Sequence, residues 1–264
     1  MSQSKSSLKD VQDFWNARPC NIQHSNAPVG TKQYFNEVEE RKYFVEPHIP
    51  AFADFTSWAG KRVLEIGCGM GTDAVNFARN DAIYTGVELS TSSLNLAKQR
   101  FEVFGLSGTF IEGNAEEIDQ LLQGKTFDLI YSFGVLHHTP SLENALKGIH
   151  TLMHSNSVFK MMIYAENSWK SSMIAAGLDQ PEAQYGCPIA NTYTRHQITE
   201  ILSKSGFSVE SIEQDHVFPY VVEEYKKYNY VRESWFQAMP QEVFKALEKK
   251  LGWHMLVTSS LQSN

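Results

Sequence analysis

The sequence has few cysteines, no long hydrophobic run and no concentration of positive charge. Its three cysteines, Cys20, Cys68 and Cys187, leave one unpaired and lack the paired spacing of a metal site. No apolar stretch approaches the roughly 18 residues that indicate a membrane span, and the first residues contain no apolar signal core. These absences predict a reduced, cytoplasmic protein with no metal and no membrane partner.

The charge balance argues against a nucleic-acid partner. The chain carries 23 basic and 30 acidic residues, a formal net charge of −7. Nucleic-acid-binding domains usually carry a basic stripe, whereas the richest basic runs here, Lys226-Lys227 and Lys249-Lys250, are pairs among acids. A hydrophobic content of 42% in 264 residues predicts one packed domain, with or without a cap. We therefore expect a small-molecule partner.

The most informative stretch is residues 63–73, with the sequence VLEIGCGMGTD. Its apolar start is typical of a parallel strand that is covered on both faces. Gly67, Gly69 and Gly71 then predict a tight turn without Cβ atoms, against which a ligand can lie. A helix that begins near Asp73 would direct its free N–H groups at the same ligand. The stretch therefore predicts a site for a nucleotide-like cofactor.

The glycine spacing narrows the choice of cofactor. A dinucleotide fingerprint places its third glycine at position 72, which is Thr72 here, so a dehydrogenase is a weak alternative. A phosphate-binding P-loop needs a lysine after the glycines, and none follows. The pattern E-x-G-x-G-x-G, which begins at Glu65, resembles motif I of the class I S-adenosylmethionine-dependent methyltransferases.

Three later segments strengthen this resemblance. Residues 83–90 predict a second strand ending at Glu88, 21 residues after Gly67, where an acid can bind ribose hydroxyls. Residues 109–118 predict a third strand and the turn that borders adenine in the family, with Asn114 where Asp is common. Residues 127–140 resemble the fourth strand and its following loop. The resemblance covers about residues 60–165.

The resemblance and the alternation of strands and helices predict an α/β fold. We expect a Rossmann-like, seven-stranded, mostly parallel sheet with an antiparallel last strand and helices on both faces. Residues 1–59 are predicted to form helices that cover the cofactor site, and residues 60–264 the S-adenosylmethionine-binding domain. Cap insertions are predicted at about 166–193 and 216–252. The second separates the last two strands by roughly 40 residues, far more than a hairpin loop, and so indicates a lid or a dimer surface.

The resemblance implies S-adenosylmethionine as cofactor and S-adenosylhomocysteine as product. It also implies a set of cofactor-binding residues along the ends of the first four strands: Glu65, Gly67, Gly69, Gly71, Thr72, Asp73, Glu88, Leu89, Asn114, Ala115, Glu116, Ser132 and Phe133. Tyr34 and Tyr43, in the predicted amino-terminal helices, are expected to close over the methionine end.

Methyl transfer needs alignment of the acceptor and removal of a proton. His138, on the loop after the fourth strand, is the predicted base because histidine titrates near neutrality. Tyr164, at the end of the fifth strand, opens toward the same edge of the sheet. The predicted substrate-binding residues are Tyr193, Arg195, His196 and His216. Arg195 favours a carboxylate or phosphate on the substrate, because its fork matches both groups.

The sequence favours methylation of nitrogen or oxygen on a small molecule, because the predicted cap is rich in aromatic residues and fits an enclosed site. A peptide or protein methyltransferase is an alternative, which would need an open groove. A non-catalytic S-adenosylmethionine-binding subunit is another, but the intact Gly67, Gly69, Gly71 and Glu88 argue against it. Monomer and homodimer both remain open, since the aromatic residues of 218–236 suit a lid or an interface.

Overall fold

One mixed sheet organises the protein. The computed structural model describes residues 7–178 and 186–263. The strands of the sheet are β1 (Arg62–Ile66), β2 (Ile83–Glu88), β3 (Thr109–Glu112), β4 (Phe127–Phe133), β5 (Met153–Ala165), β6 (Thr192–Tyr193), β7 (Phe207–Asp215) and β8 (His254–Leu261). Their order is β3-β2-β1-β4-β5-β8-β7, with β6 beside β5. β1 to β5 pair in parallel, and β8 runs antiparallel to both β5 and β7.

The predicted Rossmann-like sheet is confirmed, with one additional strand. The eighth strand is β6, in which Thr192 and Tyr193 pair with Tyr164 and Ala165 of β5. Two residues are too few to produce the alternating pattern by which a strand is recognised in a sequence. The last two long strands form the expected antiparallel pair at the sheet edge.

Helices occupy the connections between the strands. They are α1 (Leu8–Ala17), α2 (Lys32–Val45), α3 (His48–Ala53), α4 (Ala74–Arg79), α5 (Thr91–Phe104), α6 (Ile118–Leu121), α7 (Leu142–Thr151), α8 (Trp169–Ala175), α9 (Arg195–Lys204), α10 (Val222–Tyr225), α11 (Ser234–Gln237) and α12 (Gln241–Leu251). Thr194 begins α9 with a capping box, as its sequence predicts. Across the described ranges, none of these helices has the length and apolarity to cross a membrane.

The sheet is covered on both faces, because successive side chains of a strand point to opposite sides. Val63 and Leu129 belong to one hydrophobic cluster, which α4 and α5 complete. Their neighbours Leu64 and Ile130 belong to the other, which α7 and α9 complete. The apolar run of β1 is therefore explained by burial on both sides.

The amino-terminal helices are tied to the glycine turn through a buried arginine. α1 and α2 pack against α5, which carries the fully buried Arg100. Its Nη1 donates to Thr72 Oγ1 at 2.7 Å, and its Nη2 donates to the Phe35 carbonyl at 2.8 Å. Nη2 also contacts Glu39 Oε2 at 3.1 Å. One side chain thus joins α2, α5 and the turn after β1.

The second insertion, residues 216–252, begins and ends at the same edge of the sheet. Asp215 of β7 pairs with His254 of β8, and His254 also pairs with Tyr164 of β5. Because β7 is parallel to β5, these three positions lie at the carboxyl ends of the parallel strands. Ligands of open α/β sheets bind at this edge. Residues 179–185 of the first predicted insertion lie outside the described residues.

Candidate active site

The glycine turn has one position that faces open space and two that serve packing. Gly67, Gly69 and Gly71 all have positive φ, at 77°, 53° and 77°. A Cβ at Gly67 would lie 2.2 Å from Val135 Cγ2, and one at Gly71 would lie 3.2 Å from Ala97 Cβ. A Cβ at Gly69 meets nothing within 4 Å. Gly69 is therefore the position at which a ligand can approach the backbone.

A cavity of about 1040 Å³ opens over this turn, and we call it the glycine-turn cavity. Ten of the predicted cofactor residues line it: Glu65, Gly67, Gly69, Thr72, Asp73, Glu88, Leu89, Asn114, Ala115 and Phe133. They come from the carboxyl ends of β1, β2 and β4 and from the turn after β3. The parallel strands place all of these ends at one edge of the sheet.

Glu88 is held in place by backbone donors on both sides. Gly69 N donates to its Oε2 and Ser90 N donates to its Oε1, each at 2.8 Å. Burial raises the pKa of Glu88, although the two backbone hydrogen bonds oppose that shift. Each carboxylate oxygen keeps a further lone pair, so the group can accept from a diol. Asn114 Oδ1 accepts from Glu116 N at 3.0 Å, which directs the Asn114 amide nitrogen as a donor.

Two buried acids, one on β1 and one at the start of α4, also line the glycine-turn cavity. Glu65 accepts from the Tyr84 hydroxyl at 2.6 Å, and its burial together with Asp73 raises its pKa to about 8. Asp73 accepts from Lys42 Nζ at 2.8 Å and from the Tyr131 hydroxyl at 3.0 Å. Such an acid pair suits a cationic group.

The predicted aromatic closure of the site is not seen. Tyr34 is fully buried beside Phe35, and its hydroxyl donates to the Ile22 carbonyl at 2.9 Å. The Tyr43 hydroxyl donates to Asp73 Oδ1 at 3.0 Å, but its side chain does not line the glycine-turn cavity. Both tyrosines hold α2 against the domain, and the prediction that they cover the cofactor is corrected here.

Three further predicted residues also lie outside the glycine-turn cavity. Gly71 packs on α5, as its contact with Ala97 shows. Ser132 is fully buried and donates to the Ile66 carbonyl at 3.0 Å. Glu116 Oε1 accepts from Ser141 N at 3.0 Å. Each has a structural partner in place of a ligand.

A second cavity adjoins the first, and we call it the histidine cavity. It spans about 1550 Å³, including space that is open to solvent. The two cavities share a wall of seven residues: Trp15, Cys20, Asn21, Lys42, Phe133, Gly134 and His138. Four of these residues come from α1, α2 and the loop between them. The sequence analysis did not single them out, because the aromatic-rich amino-terminal region has no spacing pattern that points to particular positions. The two cavities are therefore direct neighbours along this wall.

His138 lies in this shared wall, as the position of its loop predicts. Its Nδ1 bonds the Ile189 carbonyl, so Nδ1 carries the hydrogen and Nε2 is the acceptor. Burial lowers its pKa to about 4, so the ring is neutral at physiological pH. Tyr164 lines the histidine cavity only, where its ring stacks on Trp253 at 4.3 Å between centroids. Both predicted catalytic residues thus line the histidine cavity.

His216 and His254 line the histidine cavity, and His48 lies beside His254. His48 Nε2 lies 3.0 Å from His254 Nδ1, and His254 Nε2 lies 3.6 Å from Glu46 Oε1. The His216 ring stacks on His254, with the centroids 4.5 Å apart. Burial lowers the pKa of His48 to about 2 and lowers that of His254 as well. Of these residues, the sequence singled out only His216.

The other predicted substrate residues lie away from the histidine cavity. Tyr193 packs against the main core from β6. Arg195 donates through Nε to Gln214 Oε1 at 3.0 Å and through Nη1 to the Ile212 carbonyl. His196 is exposed on α9, where it lies 3.9 Å from Glu200. The predicted anion site at Arg195 is therefore corrected, because its guanidinium joins α9 to β7.

Arg41 is one of two arginines, with Arg18, that line the histidine cavity, and the sequence analysis singled out neither. Its Nη2 donates to the Tyr225 carbonyl at 2.6 Å, and its guanidinium stacks on Tyr225 and Tyr228 at 4.2 and 4.0 Å. The residue is only 6% exposed, and its Nε and Nη1 are buried without a hydrogen-bond partner among the described residues. Buried charged donors are costly to leave unpaired, which favours an anionic ligand.

Comparison with known proteins agrees with this geometry. A model of the methyltransferase domain family matches residues 58–206. Fatty-acid O-methyltransferase of Mycolicibacterium smegmatis is 31% identical over 102 residues, which cover 38% of this chain and 36% of that protein. Ubiquinone biosynthesis O-methyltransferase of Coxiella burnetii is 33% identical over 145 residues, which cover 54% of this chain and 53% of that protein. The matches thus span about a third to a half of these relatives.

Solved structures share the fold across almost the whole chain. Magnesium protoporphyrin IX methyltransferase of Synechocystis, solved with bound S-adenosylhomocysteine, superposes with a TM-score of 0.62 at 14% identity. The superposition covers 97% of this chain and all of the other. With the family match over more than half of its length, the chain belongs to the methyltransferase domain family, and its fold is that of the class I S-adenosylmethionine-dependent methyltransferases.

The glycine-turn cavity fits the cofactor of this family. Gly69 leaves its backbone open to a ligand, and Glu88 offers a fixed carboxylate for hydroxyl groups. The acids Glu65 and Asp73 lie in the same cavity, where they suit the positive charges of the methionine end.

Proposed function

We propose that this protein transfers a methyl group from S-adenosylmethionine to a nitrogen or oxygen atom of a small, anionic acceptor in the histidine cavity. The observation that carries the proposal is the wall, containing Phe133 and His138, that the two cavities share. The two small-molecule O-methyltransferases among the relatives support an acceptor of this size. Arg41 supports its negative charge.

The proposed cofactor contacts follow from the charge and hydrogen-bonding capacity of each residue. Glu88 accepts from the ribose hydroxyls, and Asn114 meets an edge of adenine as donor and acceptor. Glu65 and Asp73 face the cationic methionine end. Phe133 and His138 then lie where the two cavities meet, which is the place for the reacting atoms.

The bound cofactor supplies a methyl group on a sulfonium, which carries its own leaving group. In the proposed step, the acceptor loses its proton to Nε2 of His138 as its nitrogen or oxygen bonds the methyl carbon. When bound, the cofactor would supply the methyl group, and its sulfur would leave with the electron pair of the methyl–sulfur bond. His138 suits this role because the Ile189 carbonyl fixes its tautomer and Nε2 is unprotonated.

The acceptor is proposed to bind through its anionic group at Arg41. The charged residues that line the histidine cavity are Arg18, Arg41, Lys42, Lys226 and Glu46, a positive balance in a chain of net charge −7. We further propose that residues 18–24 and 216–226 cover the bound acceptor, since side chains from both segments line this cavity. Such a cover favours a small molecule over a peptide.

The test measures release of S-adenosylhomocysteine with paired acceptors, each offered as the carboxylic acid and as its neutral amide. Arg41→Gln is expected to raise KM about 10- to 100-fold for the acid, because a hydrogen bond to a charged group contributes about 1.5–3 kcal/mol. KM for the amide should change little. Arg195→Gln is the matched control, since Arg195 lies outside the histidine cavity.

Two outcomes would count against the proposal. Turnover of peptides with none of the small acceptors would favour the protein methyltransferase alternative. If Arg41→Gln changed KM equally for the acid and the amide, Arg41 would have only a structural role, through its contacts with Tyr225 and Tyr228.

A further inference from the structure

We propose that Glu46, His216 and His254 form a binding site for one divalent transition-metal ion at the wall of the histidine cavity. Each residue offers one ligand atom, and these three atoms all lie within 4.8 Å of one another. All three residues line the histidine cavity. The sequence predicted no metal, because these residues lie far apart along the chain.

The distances are close to those of a coordination sphere. Bonds of about 2.0–2.1 Å in a tetrahedral site place ligand atoms about 3.3 Å apart. Glu46 Oε1 and His254 Nε2 already lie 3.6 Å apart. The remaining separations, within 4.8 Å, close by small rotations of side chains that border open space.

An unusual backbone conformation brings His216 to this cluster. His216 has φ of 71°, in the left-handed region that non-glycine residues rarely adopt. Its N–H donates to Asp215 Oδ1 at 2.7 Å, and its carbonyl accepts from Trp253 N at 2.8 Å. The strained residue is thus fixed on both sides, with its ring stacked on His254. Strain of this kind concentrates at functional sites.

His254 has the hydrogen-bonded partner that a metal-bound histidine usually has, and this partner is His48. Such a ligand donates its second ring N–H to a neighbouring acceptor. If His254 binds the ion through Nε2, its Nδ1 donates to His48 Nε2 across the observed 3.0 Å. His48 then carries its hydrogen on Nδ1, which lies 3.8 Å from Asp215 Oδ1. That Nδ1 is buried and makes no hydrogen bond within the described part of the chain.

The ligand set indicates both the ion and its role. Two imidazoles and one carboxylate suit Zn²⁺ or a similar first-row ion, and three protein ligands leave a coordination position open. That position faces the histidine cavity. The role of the ion rests on the proposed function: an acceptor oxygen or nitrogen bound there has a lowered pKa and gives up its proton more readily.

The test titrates the metal-free protein with Zn²⁺ alone, by calorimetry, and records the visible spectrum with Co²⁺. We expect one ion per chain. His48→Gln should weaken Zn²⁺ binding roughly 10- to 100-fold, because it removes only the hydrogen-bond partner of a metal ligand. His216→Gln and Glu46→Gln each remove a ligand and should weaken binding by more than that. His196→Gln, at an exposed histidine outside the cavity, should bind one ion as the wild type does.

Several outcomes would overturn the site. No saturable Zn²⁺ binding by the wild type would do so, as would binding that Glu46→Gln and His216→Gln leave unchanged. Circular dichroism of each variant separates loss of binding from loss of folding, and Glu46→Gln serves if a histidine variant fails to fold.

The metal site and the proposed function fail in distinguishable ways. If Zn²⁺ binding follows the predicted order of variants while no small acceptor is methylated, the site stands and the proposed function falls. If small acceptors are methylated and Zn²⁺ does not bind, the proposed function stands and the site falls.

Discussion

The two cavities of this protein are built in different ways. The glycine-turn cavity is formed by short, continuous segments at the ends of neighbouring parallel strands, and the backbone of Gly69 and the carboxylate of Glu88 give it its character. The histidine cavity is formed by side chains from distant parts of the chain, which are α1 and the loop after it, α2, the ends of β4 and β5, the second insertion and the first residue of β8. A cofactor shared by a family can be bound by a local motif, whereas an individual acceptor is bound by residues that only the fold assembles.

The largest expected effect is a loss of proton transfer, while both binding sites remain intact. His138→Ala should lower kcat about 100-fold or more, the usual contribution of a positioned proton-transfer group. Binding of S-adenosylhomocysteine should change little. Because the pKa of His138 is about 4, wild-type kcat should not fall through protonation of His138 between pH 6 and 8. Single-turnover kinetics measures the effect on kcat, and calorimetry measures the affinity for S-adenosylhomocysteine, with His154→Ala as the control. An unchanged kcat in His138→Ala would rule out a role of His138 in proton transfer.

The next effect is confined to the glycine-turn cavity. Glu88→Gln should weaken S-adenosylhomocysteine binding about 100-fold. The glutamine side chain would place its NH2 group against one of the two backbone N–H donors, and it would offer the ribose one acceptor fewer. The acceptor KM should be unaffected at saturating cofactor. Glu112→Gln is the matched control, since Glu112 pairs with Glu88 on the adjacent strand. Equal affinity in Glu88→Gln and Glu112→Gln would remove Glu88 from the cofactor site.

A smaller effect concerns the pH dependence of cofactor binding. The pKa of Glu65 is raised to about 8, so this carboxyl is protonated at lower pH and must ionise to face a cationic group. S-adenosylhomocysteine should therefore bind more tightly as pH rises from 6 to 7.5, by up to about tenfold per unit.

The control for this effect is 5′-methylthioadenosine, which lacks the amino-acid end and should show no such slope. Glu65→Gln should abolish the slope for S-adenosylhomocysteine. An identical slope for both ligands would show that another group, not Glu65, responds to pH.

Most of the glycine-turn cavity was predictable because its signals are local. The strand before Gly67, the glycine spacing and the distance to Glu88 depend only on neighbouring residues and on the geometry of a strand–turn–helix unit. Most of the predicted cofactor residues that lie outside the cavity have side chains of a kind that suits a binding site, but these side chains form hydrogen bonds with other parts of the protein. Ser132 and Glu116 bond backbone groups, and Tyr34 bonds the Ile22 carbonyl.

The sequence by itself determined the class of fold, the family and the ends of the strands that line the glycine-turn cavity. The tertiary structure alone decided that Arg41, and not Arg195, lines the histidine cavity, and which histidines meet. Glu46, His216 and His254 are separated by large parts of the chain and converge because β8 enters the sheet between β5 and β7, opposite the end of α2. Periodicity and spacing act over a few residues, whereas these contacts depend on the packing of whole elements.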